Sequence, residues 1–228
     1  MAMQLEKVVP FGRSLDEYRR LFALSDGDLQ KNVISLADGP ASFNAELTAR
    51  GGSAISVDPL YVFSAADIEA RFYAVVDRII DQVKATPDDW IWHYHRSPDH
   101  LKENRCAALR TFVDDFDKGK TEGRYVTGEL PHLKFPDGLF DLALCSHFLF
   151  LYSDHLTYEF HLASILEMLR VAHEVRVFPL LTLGLEVSPY VAPLVSDLAL
   201  EGFSASVETV PYEVQRGGHH MLRVRKGS

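Results

Sequence analysis

The stretch "ISLADGPASFNAELTARGGSAISVDPLY", residues 34–61, contains two short apolar runs with a tight turn and a helical segment between them. Residues 32–37 read as a buried strand, Asp38-Gly39-Pro40 as a turn, and 42–50 as a helix ended by Gly51-Gly52. Residues 53–58 form a second strand that closes on Asp58. Two buried strands joined by a helix make a βαβ unit, whose crossover is right-handed in almost all proteins.

The same alternation continues on both sides. Upstream, Ser14 and Glu17 form a capping-box pattern ahead of "LDEYRRLFAL", which predicts a helix. Downstream, Ser64 with Asp67 opens a stripe at Ile68, Phe72, Val75, Val76, Ile79, Ile80 and Val83 that keeps helical spacing up to Thr86-Pro87. Ser97-Pro98 starts another helix, with Leu101, Leu109, Phe112, Val113 and Phe116 on one face. "GRYVTGEL", "LFDLALCSH" and "EVRVFPLL" read as strands, with helices near 156–171 and 190–201. "SASVETVPY" and "HHMLRVRK" then flank "EVQRGG" as an antiparallel pair. The expected fold is α/β: a mostly parallel, twisted, seven-stranded sheet with helices on both faces and a C-terminal antiparallel hairpin. The whole of 1–228 reads as one such domain.

Composition narrows the function. A chain of 228 residues with 47% hydrophobic content can bury a substantial core. With 32 acidic against 23 basic residues the net charge is −9, which argues against a basic nucleic-acid-binding face. Cys106 and Cys145 are far apart in sequence, without a disulfide framework, so a reducing, cytoplasmic setting is expected. No run of 18 apolar residues predicts a membrane span, and "MAMQLEKVVPFGR" lacks a signal-peptide centre.

In open α/β sheets, ligands sit at the carboxyl ends of the strands. Here those ends read "ADGP", "VDPLY", "TGELP" and "CSHFLF". At Gly39 the absent side chain would let backbone approach a ligand, although the same residues also suit a plain turn. Asp58, about twenty residues later, stands where a carboxylate accepts both ribose hydroxyls. A nicotinamide cofactor is disfavoured, because the turn has one glycine where that fingerprint needs three.

Residues 25–225, and above all 34–61 and "GELPHLKFPDGLFDLALCSHFLFLYSDH" (128–155), resemble class I S-adenosylmethionine-dependent methyltransferases. The shared pattern is a turn with glycine, an acid closing the second strand, a "GELPHLKF" segment, and "FD" leading into an apolar fourth strand. The resemblance implies S-adenosylmethionine as cofactor. Asp38, Gly39 and Pro40 would lie along its methionine, Asp58 on the ribose, Glu129 and Leu130 at the adenine, and Ser146 beside the sulfonium. The resemblance does not give the acceptor; a small or medium-sized polar one is expected, with His147, which follows the fourth strand, and Tyr152, five residues on, as the catalytic candidates. His147, with a pKa ordinarily near neutrality, could act as a base or orient the acceptor, or could be a packing residue. Ser35 stands where the family commonly has an acid, and Ala37 and Ala41 where it has glycine, with Asp38 as the nearest substitute acid. The alternative function is a non-catalytic S-adenosylmethionine-binding sensor or assembly protein.

"WIWHYHRSPDH" gathers two Trp, one Tyr and three His. Two consecutive helices between parallel strands cannot both span the sheet, so 64–86 is expected across the strand carboxyl ends, as part of a lid over 64–97, with 98–118 making the return. "WHYH" would then enclose the acceptor or pack the helix pair. His93 and His95 would share one face of a strand, but no spaced Cys or carboxylate completes a site, so no metal is expected.

Overall fold

The computed structural model describes residues 10–227, so most of the segment read for a signal peptide lies outside the described residues. Seven strands form one sheet: β1 Asn32–Leu36, β2 Ser53–Val57, β3 Tyr125–Val126, β4 Phe140–Ser146, β5 Ala172–Phe178, β6 Phe203–Thr209 and β7 His220–Lys226. Their order is β3-β2-β1-β4-β5-β7-β6. The first five run parallel, and β7 pairs antiparallel with both β5 and β6. The expected fold class is therefore observed. The strand order reverses between β1 and β4, which opens a crevice at their carboxyl ends.

Among the described residues, α1 Leu15–Leu21 precedes the sheet, and five α-helices lie between strands: α2 Phe43–Ala49, α3 Ala65–Ala85, α4 Pro98–Thr121, α5 Tyr158–Val171 and α6 Val191–Leu200. Local signals set their starts. Ser14 and Glu17 complete the capping box, and Ser64, Ser97 and Thr157 each accept a hydrogen bond from a first-turn N–H. Alternation along β1 sends Ile34 and Leu36 to the core shared with α5 and α6, and Val33 to the core beneath α1 and α2. Burial on both faces explains why β1 and β4 read as continuous apolar runs.

Two expectations change. The third strand, predicted over 123–130, is reduced to Tyr125–Val126. It is an edge strand, Gly128 supplies no side chain, and Pro131 has no N–H for the ladder. "WHYH" is not a strand: Trp90 makes one isolated bridge to Gln215 and the chain then turns, with Arg96 in the left-handed region. His93 is accordingly exposed and His95 buried, not side by side on one face. The fifth strand forms as expected and carries a nearly inaccessible guanidinium. Arg176 donates to Glu174 at 2.5 Å and to the Phe22 carbonyl at 2.8 Å, and pairs with Asp28 at 3.2 Å.

Candidate functional site

A cavity of about 900 Å³ opens where β1, β2, β4 and β5 end. Gly39, Asp58, Glu129, Ser146, His147 and Tyr152 all line it. The topology thus brings together residues that the chain spaces over more than a hundred positions. Its other walls are α3 through Val75, Arg78 and Ile79, Trp90 with the loop before β7, and Phe11 with Arg13. α4 packs on α3 and returns to β3. Within "WIWHYH", Trp90 borders the cavity; Trp92 and Tyr94 pack on the core beneath α1, and His95 is enclosed behind the wall.

The turn after β1 is tied from three sides. Ala37 and Gly39 both have positive φ, 53° and 54°, so the backbone reverses within three residues. The Gly39 N–H donates to Asp58 Oδ2 at 2.9 Å, and its carbonyl accepts from the fully buried Tyr61 hydroxyl at 2.8 Å. A side chain built on Gly39 would meet nothing within 4 Å, so the space beside it is open. Pro40 does not line the cavity. It is buried under Gly12, where even a Cβ would lie 1.9 Å from the Pro40 carbonyl oxygen.

Asp38 lies at the cavity floor. Its carboxylate accepts from Ser35 Oγ at 2.6 Å, from Ser56 Oγ at 2.5 Å and from the Tyr18 hydroxyl. An acid thus lies against Ser35, supplied from three residues further along, and burial holds its pKa above the usual value. Asp58 Oδ1 accepts the Leu60 N–H at 2.7 Å. Each Asp58 oxygen therefore keeps acceptor capacity beyond its one backbone bond. Burial raises the Asp58 carboxyl to about 6 despite these bonds. Leu60 and Leu130 add apolar surface next to it.

At the end of β4, Ser146 Oγ lies 2.8 Å from His147 Nδ1, and the imidazole packs on Phe178 at 5.3 Å. His147 has φ 53°, an uncommon conformation for a side chain of this size, secured by its N–H donating to the Phe178 carbonyl. Burial, then Arg13 and Arg105, hold its pKa well below the usual histidine value. The expected near-neutral pKa is thus shifted downward, because these surroundings disfavour a charged ring. Tyr152 belongs to a short turn at 150–152 and lies against Phe148.

A buried polar cluster that reaches the cavity wall through Arg105 and Tyr212 escaped the sequence reading. Arg105 Nη1 donates to Glu17 Oε2 at 2.7 Å, and the Tyr212 hydroxyl donates to Glu17 Oε1 at 2.8 Å. His95 Nε2 lies 3.2 Å from Glu17 Oε1. Against the upward push of burial, Arg105 and His95 hold Glu17 well below the carboxylate range. One signal was available: Arg105 falls in the apolar stripe of α4, between Leu101 and Leu109, where a guanidinium needs a buried partner. Among the described residues, no group of three or more His, Cys, Asp or Glu is placed to hold a metal ion. No described helix is long and apolar enough to cross a membrane.

No protein-family model matches the chain. The uncharacterized protein MJ0045 of Methanocaldococcus jannaschii is 30% identical over 225 residues, covering 98% of this chain and 99% of its own. Among solved structures, magnesium protoporphyrin IX methyltransferase of Synechocystis PCC 6803 aligns over 93% of this chain and 78% of its own, at 15% identity and a TM-score of 0.47. A SAM-dependent methyltransferase from Aquifex aeolicus aligns over 92% and 87%, at 12% identity and a TM-score of 0.44. Likeness this distant bears on neither ligand nor acceptor.

Proposed function

The chain belongs to the family of the uncharacterized M. jannaschii protein MJ0045, and from the site itself we propose that it is an S-adenosylmethionine-dependent methyltransferase acting on a small organic acceptor. The observation that carries this reading is the pair Gly39 and Asp58. An open-sided turn and a buried carboxylate with spare acceptor capacity are joined by one hydrogen bond at the crevice of a β3-β2-β1-β4-β5-β7-β6 sheet.

The residues fit the cofactor. Asp58 would accept the ribose hydroxyls, Leu60, Glu129 and Leu130 would border the adenine, and the Ala37–Gly39 backbone would face the methionine. Asp38 provides negative charge at the floor, where the ammonium of the amino acid would lie. When bound, the cofactor supplies an electrophilic methyl group, which an acceptor lone pair takes as the carbon–sulfur electron pair returns to sulfur. The protein's own task is alignment and exclusion of water. Ser146 and His147 would border the transferred methyl, with His147 Nδ1 engaged by Ser146 and Nε2 the remaining polar atom for orienting an acceptor. A neutral, low-pKa imidazole makes a weak base, so His147 is assigned a positioning role. Tyr152 would contact the acceptor from the same wall.

The test is calorimetric titration with S-adenosylmethionine and S-adenosylhomocysteine, followed by transfer of a labelled methyl group to candidate acceptors. No binding of either nucleoside refutes the reading. Binding without transfer to any acceptor favours a sensor or assembly protein.

A further inference from the structure

The cavity is electrostatically divided. Its lining carboxylates, Asp38, Asp58 and Glu129, all lie just beyond β1, β2 and β3, and no other lining residue among those described is acidic. Of the four lining arginines, Arg71 and Arg78 of α3 are exposed, whereas Arg13 and Arg105 are not. Arg105 is 2% exposed and Arg13 is partly buried; the Nε–H of each is buried with no hydrogen-bond partner. Arg13 Nη1 donates to the Phe11 carbonyl at 2.9 Å, and Arg105 Nη1 to Glu17 at 2.7 Å. Glu17 alone does not neutralise both guanidinium groups, and burial together with Arg105 pushes the Arg13 pKa down to about 10. Two buried cations share one carboxylate, and an oxyanion in the cavity would supply the missing counter-charge.

Arg105 lies on the acceptor side, and Arg13 stands between the two parts, close enough to Asp38 to act on its carboxyl. Arg105 pairs with Glu17, Glu17 accepts from Tyr212, Tyr212 packs on Phe178 at 5.9 Å, and Phe178 packs on His147. This chain of contacts runs along the ends of β4 and β5, away from Asp58. Around it the lining is apolar and aromatic, including Phe148, Phe160, Phe178 and Leu183. We propose that Arg13 and Arg105 form an oxyanion receptor, so that the acceptor is an apolar or aromatic organic acid held by its carboxylate, sulfonate or phosphate. The word acceptor rests on the methyltransferase reading; the anion site does not.

The probes are 1-anilinonaphthalene-8-sulfonate and N-phenyl-1-naphthylamine, which share a ring system and differ in the sulfonate. Both are titrated by fluorescence into the full chain, with and without saturating S-adenosylhomocysteine. The sulfonate is expected to bind about tenfold more tightly or better, and R13Q to remove that advantage while changing the neutral probe less than about twofold. R105K, which keeps a cation beside Glu17, is expected to reduce the advantage in part with circular dichroism unchanged. Equal binding of the two probes, or equal loss of both in R13Q, overturns the proposal. So does an R13Q defect confined to S-adenosylhomocysteine and absent for 5′-methylthioadenosine, which would assign the guanidinium to the cofactor's own carboxylate. If S-adenosylhomocysteine does not bind but the probe contrast persists, the receptor stands and the methyltransferase reading falls.

Discussion

Asp58 Oδ2 accepts the backbone N–H of Gly39 at 2.9 Å, so the turn after β1 is fastened to the end of β2 by the carboxylate assigned to the ribose. Asp58→Ala removes the ligand contacts and frees the turn together. S-adenosylmethionine affinity should fall by about 1.5–3 kcal/mol, as for hydrogen bonds to a charged group. Asp58→Asn, which keeps one acceptor oxygen, should lose less. Calorimetry on folded variants checks the order, and an unchanged affinity for the Ala variant would remove Asp58 from the site.

The pH dependence follows from the raised Asp58 pKa, from 3.8 to about 6. Because the folded state holds this proton more tightly than the unfolded chain, the group opposes folding above about pH 6, and that cost disappears as pH falls toward 4. Cofactor binding has the opposite sign, since hydroxyl donors prefer the ionised carboxylate. The dissociation constant should rise about tenfold per pH unit below pH 6. A flat profile between pH 5 and 8 would contradict the assignment.

Gly39→Val places a branched side chain at φ 54° beside open space in the cavity. The left-handed backbone should cost roughly 1–2 kcal/mol, visible as a lower Tm, and nucleoside binding should be lost. Normal binding by this variant would make residues 37–40 an ordinary turn.

Glu17→Ala leaves Arg105 buried without its carboxylate and should destabilise the fold by about 3–5 kcal/mol in urea unfolding. The double variant Glu17→Met, Arg105→Met should recover a substantial part of that loss. If the double variant were as unstable as the sum of the single ones, the two groups would not act as a pair.

α3 lies along the cavity through Val75, Arg78 and Ile79, and its N-terminal half presents Tyr73 to solvent. If the segment 64–97 closes over bound ligand, hydrogen exchange there should slow on adding S-adenosylhomocysteine while β5 stays unchanged. Full protection in the free protein would mean a fixed wall.

Much of the fold was legible because its causes are local. Apolar spacing in "ADIEARFYAVVDRII" marks one face of a helix whatever surrounds it, and Ser64 caps that helix through its own neighbour Asp67. The turn at Gly39 and the acid at Asp58 were legible for the same reason, since a βαβ unit carries its ligand-facing ends at a known spacing. The third strand was overread because ladder formation depends on a partner edge, which the run of residues does not reveal.

What the sequence by itself determined was the alternation of strands and helices, the sheet class, and the strand ends that meet at the crevice. Tertiary structure alone decided which polar groups touch. Tyr18 reaches Asp38 across 20 residues, Arg105 reaches Glu17 across 88, and Tyr212 reaches Glu17 across 195. Periodicity assigns a residue to a face of its own element; the partner on the facing element is set by how the elements pack. That packing lowered the pKa of His147 and brought Arg13 and Arg105, which no motif had marked, to the cavity.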